Sequence, residues 1–402
     1  MKRLYTGLLL IATLLMGGNI SAQLLQTDSI LSYVITQKKV VETTAVKNQY
    51  RSGTCWAFAS ISFFEAEILR IKGLRTDLSE MFIVRNAYLD HAEQYVQVMG
   101  KTNFSAGAEG WDAVNVISKY GILPDKIYPG LNYGEDKHIH GELDHVLKST
   151  VDAVLENKNK KLSPAWAKAY NGILDAYFGA LPEFVAMEDT KMTAKEYASL
   201  MGIDMSNYIP ITSFLNKPFY TKYVFQSPDN WSAGLVYNLP IEQLVETMKH
   251  ALDNNYSIAW AADVSDDGFL YNEGIAINPD QEQMSLDGLE MARWQKMGAA
   301  GRHSKLLEAA EKSPVSEKNV TQEIRQRDYM NLQTTDDHLM HINGYATDQD
   351  GNLFFLVKNS WGTGNALEGY FYASESYIKM RTMTIMLHKD ALSSEMQQKL
   401  KL

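Results

Sequence analysis

Apolar positions recur with helical spacing in the first third of the chain. The longest such segment, residues 55–69, contains neither proline nor glycine, and its pattern predicts a helix that begins at a cysteine. Residues 77–80, Asp-Leu-Ser-Glu, have the polar cap and acidic first turn of a second helix start. A third helix is predicted over 110–120, and Gly121 ends it.

The middle of the chain keeps a mostly helical pattern from about 137 to 250. Thr193 and Glu196 form a predicted capping box there. Residues 280–334 are again polar and helix-like, and we expect both segments to be largely helical.

Strand patterns are concentrated late in the chain. Residues 256–264 are short and apolar, as in a buried strand. Two apolar runs, 339–346 and 353–358, flank an Asp-Gly turn and predict a hairpin. Further strands are expected at 369–372 and 383–387. Helices first and an antiparallel sheet late indicate the α+β class.

The N-terminus has the pattern of an export signal. Lys2 and Arg3 precede an apolar core at 8–16, and Ala22 provides a cleavage site before Gln23. The apolar core is too short to span a bilayer. We therefore expect a signal peptide at 1–22 and an exported protein, either periplasmic or secreted.

Charge excludes two classes of partner. The mature chain would carry 36 basic and 48 acidic side chains, a net charge of −12. An acidic chain without a basic stripe is a poor ligand for nucleic acids and anionic membranes. We expect no nucleic-acid partner, and no membrane contact after signal removal.

Cys55 is the only cysteine among 402 residues. An internal disulfide is therefore impossible, and a lone cysteine in an exported protein indicates a reactive thiol or an intermolecular bridge. At a helix N-terminus the dipole should lower the pKa of the thiol. The alternative is a small buried apolar residue in a core helix.

A nucleophilic cysteine needs a base and a group that orients the base. His338 begins the first strand of the predicted hairpin, and Asn359 follows the second, where its amide could fix the imidazole ring. Gln49 precedes Cys55 by six positions and could donate a hydrogen bond to a developing oxyanion, together with the Cys55 backbone N–H.

These segments resemble papain-like cysteine peptidases. Residues 51–59, Arg-Ser-Gly-Thr-Cys-Trp-Ala-Phe-Ala, are most similar to the bleomycin hydrolase and aminopeptidase C branch. The matching segments follow in order over nearly the whole mature chain: 49–58, 77–79, 110–112 through 119–121, 268–271, 337–338 with 344–345, and 359–362 with 369–370.

The resemblance implies a two-domain fold, with a helical left domain, an antiparallel β right domain and large helical insertions. It implies hydrolysis of peptide substrates through an acyl-enzyme, without metal or organic cofactor. Cys55 would be the nucleophile, His338 the base and then the acid, Asn359 the orienting group and Gln49 an oxyanion donor.

Spacing supports the branch. His338 and Asn359 follow Cys55 by 283 and 304 residues, whereas in papain the interval is about 130–150 residues. The additional residues between Cys55 and His338 fit two insertions. The expected organisation is 23–136 N-terminal segment and left domain, 137–250 helical insertion, 251–279 first part of the right domain, 280–334 second insertion, and 335–402 right domain with a short C-terminal helix.

The same resemblance implies roles for other residues. Trp361 would be an ordinary core residue or a cover over the bond between the histidine and the asparagine, and it is also expected to bind substrate. Gly110 would bind substrate as part of the glycine region that pairs with substrate backbone. Glu109 occupies a position where a glycine is expected.

The sequence gives weaker support to other histidines as the catalytic base or as metal ligands. His341, three residues after His338, should face the opposite side of the strand. His138 and His140, with Glu142, resemble a metal site but lie in a polar loop without a second cluster, so no metal is expected.

The last residues leave the mode of cleavage open. In the branch a C-terminal arm lies in the cleft and restricts the enzyme to N-terminal residues, but residues 389–402 predict only a short amphipathic helix. The readings are an aminopeptidase, an endopeptidase with an open cleft, or a non-catalytic peptide-binding relative. The branch also implies a hexamer, and the oligomeric state stays open.

Overall fold

The computed structural model describes residues 26–158, 161–187, 190–280 and 297–402. The predicted signal peptide lies outside the described residues, as does the part of the second predicted insertion at 281–296. Among the described residues, no helix is both long and apolar enough to cross a bilayer.

Helices begin where capping residues predict them. The hydroxyl of Ser79 accepts the Phe82 N–H at 2.9 Å, and Thr193 with Glu196 forms the predicted capping box. The described helices are α1 Cys55–Lys72, α2 Glu80–Gln97, α3 Gly110–Tyr120, α4 Gly141–Leu155, α5 Ala165–Phe178, α6 Ala194–Met201, α7 Ile241–Asp253, α8 Ala299–Lys312, α9 Gln322–Met330, α10 Glu375–Arg381 and α11 Ser394–Leu400.

Ten of the fourteen described strands lie in the second half of the chain. The fourteen are β1 Thr27–Ile30, β2 Tyr33–Val40, β3 Val185–Met187, β4 Thr190–Met192, β5 Tyr208–Thr212, β6 Lys222–Val224, β7 Leu235–Asn238, β8 Ile258–Ala262, β9 Phe269–Leu270, β10 Ile275–Ala276, β11 His338–Thr347, β12 Leu353–Lys358, β13 Tyr370–Ser374 and β14 Thr382–His388.

One large sheet contains all of these strands except the β3–β4 hairpin. Its order is β6-β7-β5-β14-β8-β11-β12-β13-β10-β9, and β2 also pairs with β11. Pairing is antiparallel except between β5 and β7 and between β10 and β13. β11 and β12 form the predicted hairpin, with His341 opposite Lys358. The predicted α+β class is confirmed.

Helix α1 is buried on nearly every side. From Trp56 to Ile68 its residues are buried, because α1 packs on β11 and also against α2 and α3. A second apolar core, on α7 and α10, includes Trp260, Phe371 and Tyr377. Because α1 packs on β11, the first turn of α1 is held against the start of β11.

The prediction that 137–250 is a helical insertion is wrong in part. Strands β5, β6 and β7 extend the main sheet from this segment, and β3 and β4 form a small hairpin. These strands contain only three to five residues each, and Pro210 lies inside β5. Runs this short do not develop a clear two-residue period, so the sequence pattern missed them.

A buried arginine fastens α9 to the sheet. The Arg325 side chain is 1% exposed, and its guanidinium lies 4.5 Å over the Phe214 ring. It donates hydrogen bonds to four backbone carbonyls, those of Ser213, Lys379, Met380 and Thr382. Removal of the guanidinium would take a donor from each of these carbonyls.

We expect Arg325→Met to lower the free energy of unfolding by about 3 kcal/mol, since buried carbonyls would lose their donors. Arg75→Met is the control: its side chain is 60% exposed and that of its partner Glu42 is 57% exposed, and we expect a change within about 0.5 kcal/mol. Urea unfolding followed by tryptophan fluorescence measures both. Equal midpoints for the two variants would contradict this role of Arg325.

Candidate active site

Four of the sequence-predicted residues line one cleft of about 360 Å³. Gln49, Cys55, His338 and Trp361 all contribute to its walls. Cys55 is the first residue of α1 and His338 the first residue of β11, so the packing of α1 on β11 brings the thiol and the imidazole to the same place. Asn359 lies behind His338 and is buried.

A short hydrogen bond orients the His338 ring. Its Nε2 lies 2.7 Å from Oδ1 of Asn359, and the same oxygen accepts the Ser360 backbone N–H at 2.8 Å. Because a backbone N–H can only donate, that amide atom is an oxygen, and Nε2 must carry the proton. In the neutral ring Nδ1 is then a free acceptor.

Trp361 covers this pair, as the sequence predicts. The indole lies over the imidazole of His338, with 4.7 Å between ring centroids and a 34° tilt. Trp361 is itself 38% exposed at the cleft. The indole therefore separates the imidazole from solvent on one side.

Gln49 joins the cysteine loop to the asparagine loop. Its backbone N–H donates to the Ser360 carbonyl at 2.8 Å, and its Oε1 accepts the Ser360 hydroxyl at 2.7 Å. Its Nε2 donates to the Ser52 carbonyl at 2.8 Å. One Nε2 hydrogen is therefore engaged within the loop, and the second remains for another acceptor.

Close packing fixes the turn before Cys55. A Cβ added at Gly53 would lie 2.8 Å from the Cβ of Ala106, so a larger residue would force the two loops apart. The Trp56 indole donates to the Ala106 carbonyl at 3.0 Å. The segment that carries Cys55 is thus held against the segment that forms the opposite wall of the cleft.

The sequence-based prediction of a lowered thiol pKa is wrong. Burial raises the pKa of Cys55 to about 11; the Leu339 backbone N–H opposes the rise, and the carboxylates of Asp229 and Asp336 add to it. Burial also lowers the pKa of His338 to about 4, against the hydrogen bond that the ring donates to Asn359. The thiol and the imidazole are therefore both neutral near pH 7.

Gly110 does not line the cleft, contrary to the expectation for it. It opens α3 behind the wall, within van der Waals distance of Met386 and Leu339 if a Cβ is added. The wall is formed instead by the five residues of 105–109. The glycine with close contacts there is Gly107, where an added Cβ would lie 2.1 Å from Oδ2 of Asp229.

Sequence reasoning missed the acidic side of the cleft. Glu109, Asp229, Asp336 and Asp337 all line it. The Asp-Asp pair directly before His338 indicates acidic groups at the cleft, because residues that flank the start of a strand lie near its first side chain. Asp229 carries no such signal, since only tertiary packing brings its loop to the site.

The rival histidines do not line the cleft. Nδ1 of His341 lies 2.8 Å from the Ser62 hydroxyl on α1. Burial lowers the pKa of His138 to about 4 and that of His140 to about 3. Throughout the described ranges, no group of three or more potential ligands is arranged to hold a metal ion.

Known proteins resemble this chain. Residues 319–402 match the Peptidase C1-like family. Aminopeptidase C of Listeria innocua is 24% identical over 399 residues, which cover 89% of this chain and 82% of that protein. For aminopeptidase C of Lactococcus lactis subsp. cremoris the values are 24% over 396 residues, 87% and 82%.

Among solved structures, the crystal structure of PepW from Lactobacillus rhamnosis HN001 has the same fold. The TM-score is 0.66 at 18% identity, and the alignment covers 91% of this chain and 84% of that one. The predicted papain-like fold is confirmed, and so is the resemblance to the aminopeptidase C branch.

The raised pKa of Cys55 predicts how the rate of its alkylation by iodoacetamide depends on pH. Since only the thiolate reacts, the rate should be low near pH 7 and should rise toward the pKa of about 11. Asp336→Asn removes a carboxylate that raises this pKa, so its profile should move to lower pH. Mass spectrometry of the single cysteine gives the rates.

Asp350→Asn is the matched control, since Asp350 is exposed in the turn between β11 and β12. Its profile should coincide with that of the unmodified protein. A wild-type rate that has already reached its plateau below about pH 8 would contradict the raised pKa.

Proposed function

We propose that this papain-like cysteine peptidase of the aminopeptidase C branch hydrolyses peptide bonds through Cys55, His338 and Asn359. The observation that supports it most directly is the hydrogen bond from His338 Nε2 to Asn359. It leaves Nδ1 unprotonated on a ring that lines the same cleft as the thiol, which is what a general base requires.

Acylation begins with both groups neutral. As Sγ of Cys55 attacks the carbonyl carbon, its proton passes to Nδ1 of His338, and the carbonyl oxygen becomes an oxyanion. The Cys55 backbone N–H and the second Nε2 hydrogen of Gln49 donate to that oxyanion. Asn359 holds the imidazolium in the same orientation throughout.

Collapse of the oxyanion breaks the C–N bond. His338 returns the proton to the departing amine, and a thioester on Cys55 remains. A water molecule then attacks the thioester carbon while His338 accepts one of its protons. The C–S bond breaks, the acid product leaves, and the proton on His338 restores the thiol of Cys55.

Removal of N-terminal residues is the preferred mode, because the relatives that span most of the chain are named aminopeptidase C. One observation favours the endopeptidase alternative: no described residue of 389–402 lines the cleft. Helix α11 instead places Met396 and Leu400 in the core beside α7. Cleavage of peptides with a blocked N-terminus distinguishes the two modes.

The catalytic proposal predicts that Cys55→Ala abolishes peptide hydrolysis, because no other thiol is present. The thermal unfolding of this variant should be unchanged. Gln49→Ala should lower kcat by about 10²–10³-fold through loss of an oxyanion donor. His145→Ala, at an exposed position on α4, is the control and should keep full activity. Cleavage of peptidyl coumarin amides measures all three.

Full activity in Cys55→Ala would eliminate the mechanism. If the unmodified protein binds these peptides and cleaves none of them, the non-catalytic peptide-binding alternative is correct instead.

We also propose export, on the basis of the charged start and the apolar core of residues 1–22. Expression of the full chain in a Gram-negative host should then yield a processed protein that begins at Gln23, in the periplasmic fraction or the medium. N-terminal peptide mass spectrometry identifies the start. Replacing Leu9 and Leu10 by Asp should keep the chain unprocessed, and processing that persists would argue against a signal peptide.

A further inference from the structure

The cleft beside Cys55 has a strongly acidic wall. Glu109, Asp229 and Asp336 lie together on it, with Asp337 next in the chain. No lysine or arginine is among the described residues that line this cleft. The negative charge is therefore not balanced at the wall itself.

Glu109 is the most unusual member of this group. It is 1% exposed, it lines the cleft, and its Oε1 has no donor among the described residues, while its carboxyl group lies within hydrogen-bond distance of the Asp336 carboxyl group. Its charged neighbours are Asp336, Asp112 and Asp229, and burial together with these carboxylates raises its pKa well above the usual range. A buried carboxyl oxygen without a donor is costly unless a ligand provides one.

The other two carboxylates are held in place. The Ser227 hydroxyl donates to Oδ2 of Asp336 at 2.6 Å. Oδ1 of Asp229 accepts from the Asn103 amide at 3.2 Å and from the Ser105 hydroxyl at 3.3 Å. The donors belong to two separate loops, 98–109 and 225–234, so the carboxylates are positioned rather than left as mobile surface groups.

We propose that Glu109, Asp229 and Asp336 form a cation subsite that binds an ammonium group of the peptide next to the scissile bond. The inference rests on the peptidase function proposed above and names a substrate class for it. An ammonium supplies three donors and a positive charge to a wall that presents carboxylate acceptors. An organic cation fits better than a metal ion, because no described cluster of three or more potential ligands is arranged for metal binding.

The subsite lies close enough to Cys55 to act on its charge. Asp229 and Asp336 both raise the pKa of the thiol, so a bound cation would offset them. Two groups of a peptide can reach this position: the α-ammonium of the residue whose carbonyl is attacked, and a lysine side chain on the preceding residue. Either would favour transfer of the thiol proton to His338 when substrate is present.

Four coumarin amides distinguish these sources. Alanyl and N-acetylalanyl amides differ in the α-ammonium, and N-acetyl-lysyl-alanyl and N-acetyl-norleucyl-alanyl amides differ in the side-chain ammonium. We expect the unmodified protein to prefer the charged member of at least one pair by about 10- to 100-fold in kcat/KM. The pair that shows the preference identifies the group that the subsite binds.

Variants then assign the preference to the carboxyl groups. Glu109→Gln and Asp336→Asn retain shape and remove a carboxyl group that can be anionic beside a bound ammonium, so both should reduce the charged-to-neutral ratio toward one. Glu135→Gln, exposed in the loop before α4, should leave it unchanged. Ratios near one for both pairs in the unmodified protein, or ratios that both variants preserve, would overturn the subsite.

Binding provides a test that does not depend on catalysis. In the Cys55→Ala protein, calorimetry with the same four amides should show tighter binding of the charged member, and adding Glu109→Gln should remove the difference. If the unmodified protein cleaves nothing and this difference is present, the peptidase proposal fails and the subsite stands. Equal binding within both pairs contradicts the subsite whether or not cleavage occurs.

Discussion

The link between Gln49 and Ser360 is the contact on which the geometry of the site depends. Two hydrogen bonds, from the Gln49 backbone and to its Oε1, tie the loop before Cys55 to the loop that contains Asn359. Next to it, the Gly362 N–H donates to the Lys47 carbonyl. The nucleophile begins a helix and the orienting amide follows a strand, and this contact ties the loops of both groups directly to each other.

Burial sets the electrostatics of the site as strongly as its hydrogen bonds do. The pKa of Cys55 is raised and that of His338 is lowered for the same reason, because each charged form loses solvation. Positive charge from the helix dipole is opposed by Asp229 and Asp336. A site of this kind keeps its thiol protonated near neutral pH, and a charged group bound in the cleft would change the pH at which the thiolate forms.

Much of the site could be predicted from local sequence because local interactions determine it. The start of α1 at Cys55, the cap at Ser79 and the hairpin that separates His338 from Asn359 follow from periodicity, capping and turn residues. Strands β5 to β7 could not be predicted, since their short runs become strands only by joining the edge of the sheet. The thiol pKa was predicted with the wrong sign, because a dipole can be read from sequence and desolvation cannot.

The segment 137–250 matters to the site as well as to the length of the chain. Asp229 lies within it and reaches the cleft because Asn230 is fixed nearby: its Oδ1 accepts the Trp111 indole N–H at 3.2 Å and the Gly234 N–H at 2.7 Å. Trp111 belongs to α3, which follows Glu109 directly. The start of α3 therefore connects the insertion to the wall of the cleft. At this wall lie Glu109, in a position where a glycine is expected, and Asp229, which the insertion supplies. Because Asp229 also raises the pKa of the Cys55 thiol, a change at this wall should alter both the peptides that reach the sulfur and the pH at which the sulfur reacts.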